Sequence, residues 1–392
     1  MADTNTKYDI VVFGASGYTG RLVAEYLQGE YANTSLKWAM AGRSLDKLAS
    51  VRTALGIPDS VDLVSVDSDD AASVGQMVSD CKVVITTVGP YQLYGEELIK
   101  QCAEQGTDYV DLSGEPSWMH ETIAQHSAAA KASGARIVHS CGFDSIPFDL
   151  GVYCLQQRAI TQTGKPIATV KGRVRAMNGT FSGGTIASMR ATMASAQANP
   201  AIIKVLTNPF ALTEGFTGPE QPTGAVPQYD EELNSWSAPF VMAAINTKNI
   251  HRSNFLLGHQ YGEDFRYDEM LLTGDGEQGK AAAEYVAKDD SIGKSDLQPG
   301  DGPTQEEREN GNYDAIFAGQ NSEGELMISS VQGDRDPGYG STSKMLAEAA
   351  ICLLENPTLA SGGLWTPAAA MGQALIDRLH AHAGLTFQIE KG

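Results

Sequence analysis

A hydrophobic run that breaks into a glycine-rich turn and continues as a helix is the feature that most constrains the fold of this chain. Apolar residues fill most of 8–13, glycines follow at positions 14, 17 and 20, and 21–27 has a helical pattern. Such glycines allow a tight turn, a close approach of the backbone to phosphates, and close packing of helix on strand. The helix N-terminus adds free N–H donors for an anion. The pattern predicts a dinucleotide site at Gly14, Ala15, Ser16, Gly17, Tyr18, Thr19 and Gly20.

Strand-like and helix-like segments alternate through about residue 150. The predicted strands cover 10–13, 36–41, 62–66, 83–87, 109–112 and 136–140, and the helices between them include 69–80, 96–105 and 118–133. Each strand is short and mostly apolar, which is typical of parallel strands buried on both faces. The sequence therefore predicts an α/β fold with a Rossmann-type, doubly wound parallel sheet.

The pattern changes from about residue 169 onward. Alternating residues at 170–176, β-like pieces at 265–273 and 315–319, and polar loops at 215–230 and 289–314 indicate an inserted α+β domain. A helical pattern at 341–354 needs a surface to pack on, and we expect it to fold back on the first domain. The predicted domains are 1–145 together with 338–392 as the dinucleotide-binding domain, and 146–337 as the substrate domain.

Composition excludes several classes of protein. The net charge is −20, from 28 basic and 48 acidic residues, so the overall field opposes nucleic-acid binding. Five scattered cysteines without a CxxC pair, no secretion signal and no long apolar run favour a cytoplasmic protein. No metal-binding motif is present, so no metal site is expected. Residues 201–212 are the best candidate for a peripheral lipid or membrane contact, although a buried segment is the favoured interpretation.

The end of the second predicted strand indicates which dinucleotide binds. An NAD-binding unit carries an acidic residue about 20 positions after the glycine turn, whereas an arginine there can hold a 2′-phosphate. Arg43 stands 23 residues after Gly20, next to Gly42, and no acidic residue is present at this strand end. Arg43, Ser44 and Lys47 therefore predict NADP(H) in preference to NAD(H). The alternative is a solvated arginine that opens a helix.

Further strand ends should line the same crevice, because ligands of open α/β sheets bind beyond the carboxyl ends of the strands. The residues in question are Asp67 after the third strand, Val88, Gly89, Pro90 and Tyr91 after the fourth, and 112–115 after the fifth. Taken alone, each of these loops is equally consistent with an ordinary turn between a strand and a helix. After the sixth strand, Ser145 precedes Ile146 and Pro147 in the manner of a helix N-cap, and Cys141 is expected to be an inert buried thiol.

Several motifs together resemble the saccharopine dehydrogenase-like oxidoreductases, in particular the trans-acting enoyl reductase branch. They lie at 14–20, 41–43, 88–91, 109–115, 141–147, 182–185 and 336–346. The resemblance runs through nearly the whole chain. It implies an NADP(H)-type nucleotide domain and a substrate domain inserted before the C-terminal helices.

The enoyl reductase resemblance implies hydride transfer to a conjugated double bond of a lipid or polyketide acyl chain. After hydride addition the enolate needs a proton, for which Tyr91, Asp144 and Ser145 are the candidate donors. A saccharopine-type amino-acid dehydrogenase is an alternative, but its substrate carries several carboxylates and the arginines of the middle segment are dispersed. A non-catalytic NADP(H)-binding scaffold or sensor is a further alternative. A homodimer is one possible assembly, and the sequence does not decide whether it forms.

Overall fold

A seven-stranded parallel sheet forms the first half of the molecule. The computed structural model describes residues 6–180, 183–289, 291–298 and 300–392. The strands of this sheet are β1 (Tyr8–Phe13), β2 (Trp38–Gly42), β3 (Asp62–Ser65), β4 (Cys81–Thr86), β5 (Asp108–Val110), β6 (Arg136–Val138) and β13 (Gly363–Trp365). Their spatial order is β13-β6-β5-β4-β1-β2-β3. The predicted parallel sheet and its six strands are confirmed, whereas β13 was not predicted.

Helices cover both faces of this sheet. They are α1 (Tyr18–Tyr31), α2 (Leu45–Ala54), α3 (Ala71–Ser79), α4 (Tyr91–Tyr94), α5 (Glu96–Gln105), α6 (Pro116–Ser133) and α13 (Thr342–Glu355). Helices α7 (Ile146–Thr163) and α14 (Pro367–His382) pack on each other, and α7 lies mainly on the second sheet described below. Helix α13 packs on α1, β4 and β5, as its apolar pattern predicts. Its residues from Met345 to Leu353 are all buried, and they complete the core on that face of the sheet.

A second, mixed sheet forms the other half. Its strands are β7 (Thr169–Asn178), β8 (Gln228–Asp230), β9 (Ser235–Pro239), β10 (Arg266–Gly274), β11 (Asn312–Gln320), β12 (Leu326–Gly333) and β14 (Leu385–Lys391), in the order β14-β12-β11-β7-β10-β9-β8. The accompanying helices are α8 (Gly183–Ala198), α9 (Pro200–Thr207), α10 (Ala243–Leu256), α11 (Gly276–Val286) and α12 (Gln305–Asn310), with a 3₁₀ turn at Ser291–Lys294 and a π-helical turn at Pro337–Ser341. The inserted α+β architecture is confirmed.

Strand β14 pairs with β12, so residues 385–391 extend the second sheet. Two local predictions require correction. The predicted loop at 289–314 contains α12, which begins with a capping box at Thr304, and the start of β11. The segment 201–212 is only partly buried, because α9 has no buried residue while Phe210, Ala211 and Leu212 are buried. The domain limits and the lipid contact stay predictions.

Candidate active site

The glycine turn has the geometry that a dinucleotide phosphate requires. Gly14 has a φ of +91°, and a Cβ there would lie 2.6 Å from the Thr87 hydroxyl. A Cβ at Gly20 would lie 2.2 Å from the carbonyl oxygen of Gly14, so α1 packs directly on the turn. Gly17 is exposed, and its N–H donates to the Gly14 carbonyl at 2.9 Å. Because side chains would fill this cradle, the turn fits the backbone approach to a pyrophosphate.

The other residues of the turn differ in what they present. Ala15 is buried, and Ser16 lies beneath Gly42, where a Cβ would be 3.6 Å from its hydroxyl. Thr19 faces the cavity described below. The side chain of Tyr18 is held by the segment before α12, because its hydroxyl donates to the Pro303 carbonyl and accepts from Arg308 Nη1 at 3.0 Å. Tyr18 can therefore contribute its backbone, rather than its hydroxyl, to cofactor binding.

The predicted 2′-phosphate residues gather at the start of α2. Ser44 caps this helix, since its hydroxyl accepts from the Lys47 N–H at 3.3 Å. Arg43 and Lys47 are exposed, and within the described part of the chain neither has an ion-pair partner. Two cations beside a helix N-terminus suit a phosphate group. Asp67 is exposed at the turn before α3, where its carboxylate accepts from the Asp69 N–H at 3.2 Å.

The loop between β4 and α4 approaches the cavity through Gly89 and Tyr91, while Val88 and Pro90 beside them are half-buried. The Tyr91 ring is buried and stacks on Trp118 with centroids 5.3 Å apart. Its hydroxyl donates to the Thr86 carbonyl at 3.1 Å, and burial raises its pKa well above the ordinary value. This hydroxyl is therefore committed to the fold and is a poor proton donor.

A cavity of about 420 Å³ lies between the carboxyl ends of the parallel strands and helices α8, α9 and α10. Thr19, Thr87 and Gly89 line its cofactor side. Apolar side chains dominate the opposite side: Met177, Met189, Met193, Leu206, Phe240, Val241, Met242 and Ile245. Its carboxylates are Glu115 and Asp144, and no lysine, arginine or histidine is found among the described residues of its wall. The cavity thus suits a largely apolar ligand.

Asp144 is the titratable group best placed to act on such a ligand. It lies in the loop after β6 and lines the cavity. The residue as a whole is half-buried, but its Oδ1 atom is sealed from solvent and has no hydrogen-bond partner. Burial raises its pKa from 3.8 to about 7, because desolvation disfavours the carboxylate. Asp144 can therefore hold a proton at the cavity wall near neutral pH.

A second carboxyl group, Glu269 on β10, was missed by sequence reasoning. It is buried and accepts hydrogen bonds from Asn246 Nδ2 at 2.7 Å and Tyr267 Oη at 2.8 Å. Burial raises its pKa to about 8, and the charge of Asp144 contributes in the same direction. The two carboxyl groups therefore interact electrostatically. The only sequence feature that could have indicated Glu269 is its two-residue spacing from Tyr267, which puts both side chains on one face of a strand.

The other residues after β6 serve the fold. Ser145 stands at the N-cap position of α7, but its hydroxyl makes no cap and accepts from Asn249 Nδ2 at 2.8 Å instead. It is not part of the cavity wall, so the structure gives it no contact with a ligand there. Cys141 is fully buried and burial raises the pKa of its thiol, as expected of an inert cysteine. His139 is buried, with Nδ1 2.7 Å from Asp111 Oδ2.

Comparison with known proteins identifies the family. Residues 10–138 match the saccharopine dehydrogenase NADP-binding domain. A Mycobacterium tuberculosis protein provisionally named a trans-acting enoyl reductase is 37% identical over 417 residues, covering 99% of each chain. The chain belongs to the trans-acting enoyl reductase branch of the saccharopine dehydrogenase-like oxidoreductases. A Mycobacterium bovis protein named trans-acting enoyl reductase is 33% identical, covering 97% of each chain. The chain is therefore an oxidoreductase with a nicotinamide-dinucleotide domain.

Solved structures confirm the fold. Saccharopine dehydrogenase (L-Glu forming) from Saccharomyces cerevisiae aligns with a TM-score of 0.55 at 11% identity, covering 97% of this chain and 99% of that one. Homospermidine synthase from Legionella pneumophila in complex with NAD aligns at 0.57 and 10% identity, covering 99% and 93%. Within the described ranges, no three His, Cys, Asp or Glu side chains form a group that could hold a metal ion. None of the described helices is long and apolar enough to cross a membrane.

Proposed function

We propose that this oxidoreductase uses NADP(H) to reduce a carbon–carbon double bond conjugated to the carbonyl group of an acyl substrate. The observation that carries the proposal is the apolar cavity beside the glycine turn, with no described cation in its wall. A saccharopine-type substrate with several carboxylates would need arginine or lysine there. The volume of the cavity, about 420 Å³, lies within the range of small-molecule sites. The name of the relatives, trans-acting enoyl reductase, agrees with this choice.

The chemistry needs a hydride and a proton on adjacent carbons. When bound, the nicotinamide supplies the hydride to the β-carbon of the acyl group. The α-carbon must then receive a proton, and Asp144 is the cavity residue that holds one near neutral pH. The apolar wall excludes water and orients the acyl chain of the substrate. The test is oxidation of NADPH by α,β-unsaturated acyl thioesters, with 2-oxoglutarate plus lysine or glutamate as the competing acceptors. Oxidation by the amino-acid mixture alone would reject the proposal.

The preference for NADP(H) over NAD(H) rests on Arg43. We expect Arg43→Gln to weaken NADPH binding by about tenfold to 100-fold, because one charge-assisted hydrogen bond to the 2′-phosphate is lost. NADH binding should change less than about twofold, since NADH has no such phosphate. Fluorescence titration of both cofactors measures this. Lys37→Gln is the matched control, because Lys37 is an exposed cation beside the opposite end of β2. Equal losses for NADPH and NADH would contradict the assignment.

A further inference from the structure

We propose that Gln92 and Glu115 are positioning residues that tie helix α8, as a lid over the cavity, to the cofactor-side loop before α4. Dinucleotide binding at that loop then stabilises the closed lid. The proposal rests on the cofactor site and not on the choice of substrate. None of the predicted site residues has this role.

Glu115 joins the loop to the lid through its carboxylate. The group is buried, and it accepts hydrogen bonds from the N–H groups of Tyr91 and Gln92, both at 2.9 Å, and from Gln92 Nε2 at 3.0 Å. The Ser188 hydroxyl on α8 donates to the same carboxylate at 2.8 Å. One buried charge is thus shared between the start of α4 and the lid.

Gln92 makes a second connection between the same two elements. Its Nε2 donates to the Thr192 hydroxyl at 3.1 Å, and its Oε1 accepts from the Ser195 hydroxyl at 2.8 Å. Ser188, Thr192 and Ser195 are four and three residues apart, so they form one stripe along α8. Met189 and Met193 follow the first two hydroxyl residues and line the cavity. One side of α8 therefore fastens the lid while the adjacent side covers the ligand.

Apolar packing contributes little to holding α8, although other hydrogen bonds tie its first half to the rest of the structure. The Gly183 N–H donates to the Asp301 carbonyl at 3.1 Å, the Thr185 hydroxyl lies 2.9 Å from that of Tyr339, and Arg190 Nη2 donates to the Ser295 carbonyl. Of its described residues, only Gly183 and Ile186 are buried, and the exposed fraction of Met193 is 56%. A helix with so little buried apolar surface opens at a low free-energy cost. At the far end of α9, Lys248 Nζ donates to the Leu206 carbonyl at 2.8 Å and anchors that end. The hydroxyl stripe consequently fastens the part of α8 from Ser188 onward to the cofactor-side loop.

The coupling follows from the shared residues. The loop at 88–91 is predicted to line the cofactor crevice, and its last residue, Tyr91, donates its N–H to Glu115. A cofactor that orders this loop also orders the acceptor of the Ser188 hydrogen bond. Binding then favours the closed lid by the difference in affinity between the open and closed states.

The test is hydrogen exchange of the amides at 183–207 in the full chain, with and without saturating NADPH. In the parent, NADPH should slow exchange about tenfold. The triple variant Ser188→Ala, Thr192→Val and Ser195→Ala should reduce this slowing to less than about twofold, because the lid hydroxyls that bond to Glu115 and Gln92 are all lost. Thr192→Ser, which keeps a hydroxyl, should behave as the parent. So should Gln197→Ala, a change at an exposed position on the same helix.

The cofactor-dependent ratio separates coupling from simple loosening of the helix, which would change exchange equally with and without NADPH. Undiminished slowing in the triple variant would overturn the proposal. Absence of slowing in the parent at saturating NADPH would overturn it as well. No substrate is needed, so the result is independent of whether acyl thioesters are reduced.

Discussion

Replacing Asp144 with asparagine is expected to lower kcat about 100-fold to 1,000-fold while NADPH affinity stays within about twofold. Asparagine has nearly the same shape but cannot donate the proton that the α-carbon needs. In the parent, kcat should fall as the pH rises through about 7, since the protonated form of Asp144 is the donor. The measurement is the pH dependence of kcat for both proteins, and in the variant this transition should be absent.

The same substitution should stabilise the fold at alkaline pH. The pKa of Asp144 is raised from 3.8 to about 7, so the native state binds more protons than the unfolded state between these values. The free energy of unfolding therefore decreases as the pH rises from about 4 to 7, and the full cost is present above pH 7. That cost is at most about 4 kcal/mol, at 1.36 kcal/mol per pKa unit. Asp144→Asn should raise Tm at pH 8 and leave it nearly unchanged at pH 4.

Asp149 provides the matched control. Its pKa is also raised to about 7 by burial, but it lies outside the cavity wall. Its carboxylate accepts from the Ser253 hydroxyl at 2.5 Å and the Ala368 N–H at 2.8 Å. Asp149→Asn replaces one of these two acceptor oxygens with an NH2 group, so it should lower Tm at pH 4, where the carboxyl group is protonated, and leave kcat of the folded enzyme within about threefold. If Asp144→Asn lowered Tm at both pH 4 and pH 8, its role would be structural and the assignment as proton donor would fail.

The second large effect is expected for Gly20→Ala, which should weaken NADPH binding at least about 100-fold and lower the stability by about 1–3 kcal/mol. The new Cβ would lie 2.2 Å from the Gly14 carbonyl oxygen and 2.9 Å from the Ala15 Cα. Both are backbone atoms of the turn, so α1 or the turn must move. NADPH titration and thermal unfolding measure the two effects.

Gly29→Ala is the control on the same helix. A Cβ at Gly29 would meet nothing within 4 Å, and alanine is the better helix former. We expect a gain of about 0.5–1 kcal/mol in stability and unchanged NADPH affinity. Normal NADPH binding by Gly20→Ala would show that close packing of α1 on the turn is not required.

The elements that could be predicted from the sequence are those determined by interactions between residues that are close together in the chain. The glycine turn is one example, because the positive φ of Gly14 and the contact of Gly20 follow from residues within the turn itself. Strands buried on both faces are another, since their apolar runs are continuous. Strand β13 pairs with β6, which lies more than 200 residues earlier in the chain, and no local pattern specifies this pairing. The pairing of β14 with β12 joins distant parts of the chain, and no local pattern specifies it.

The polar residues of the site show the same division. The pattern around Ser145 predicted a helix cap, but Asn249, 104 residues away, takes its hydroxyl instead. The sequence shows Glu269 only as a carboxyl group in a strand, and its hydrogen bonds to Asn246 and Tyr267 appear only in the folded structure. The connection of Gln92 to the lid spans about 100 residues. Burial and partnership between distant segments, rather than residue type, create the properties of these groups.

The most direct test of the proposed reaction follows the hydrogen atoms. The enzyme is incubated with an α,β-unsaturated acyl thioester and NADPH carrying deuterium at both C4 positions of the nicotinamide, and the product is analysed by mass spectrometry. The predicted product is a saturated thioester with one deuterium at the β-carbon and a solvent proton at the α-carbon. Deuterium found instead in an amino-acid product, from 2-oxoglutarate with lysine or glutamate, and none in the acyl chain would contradict the account.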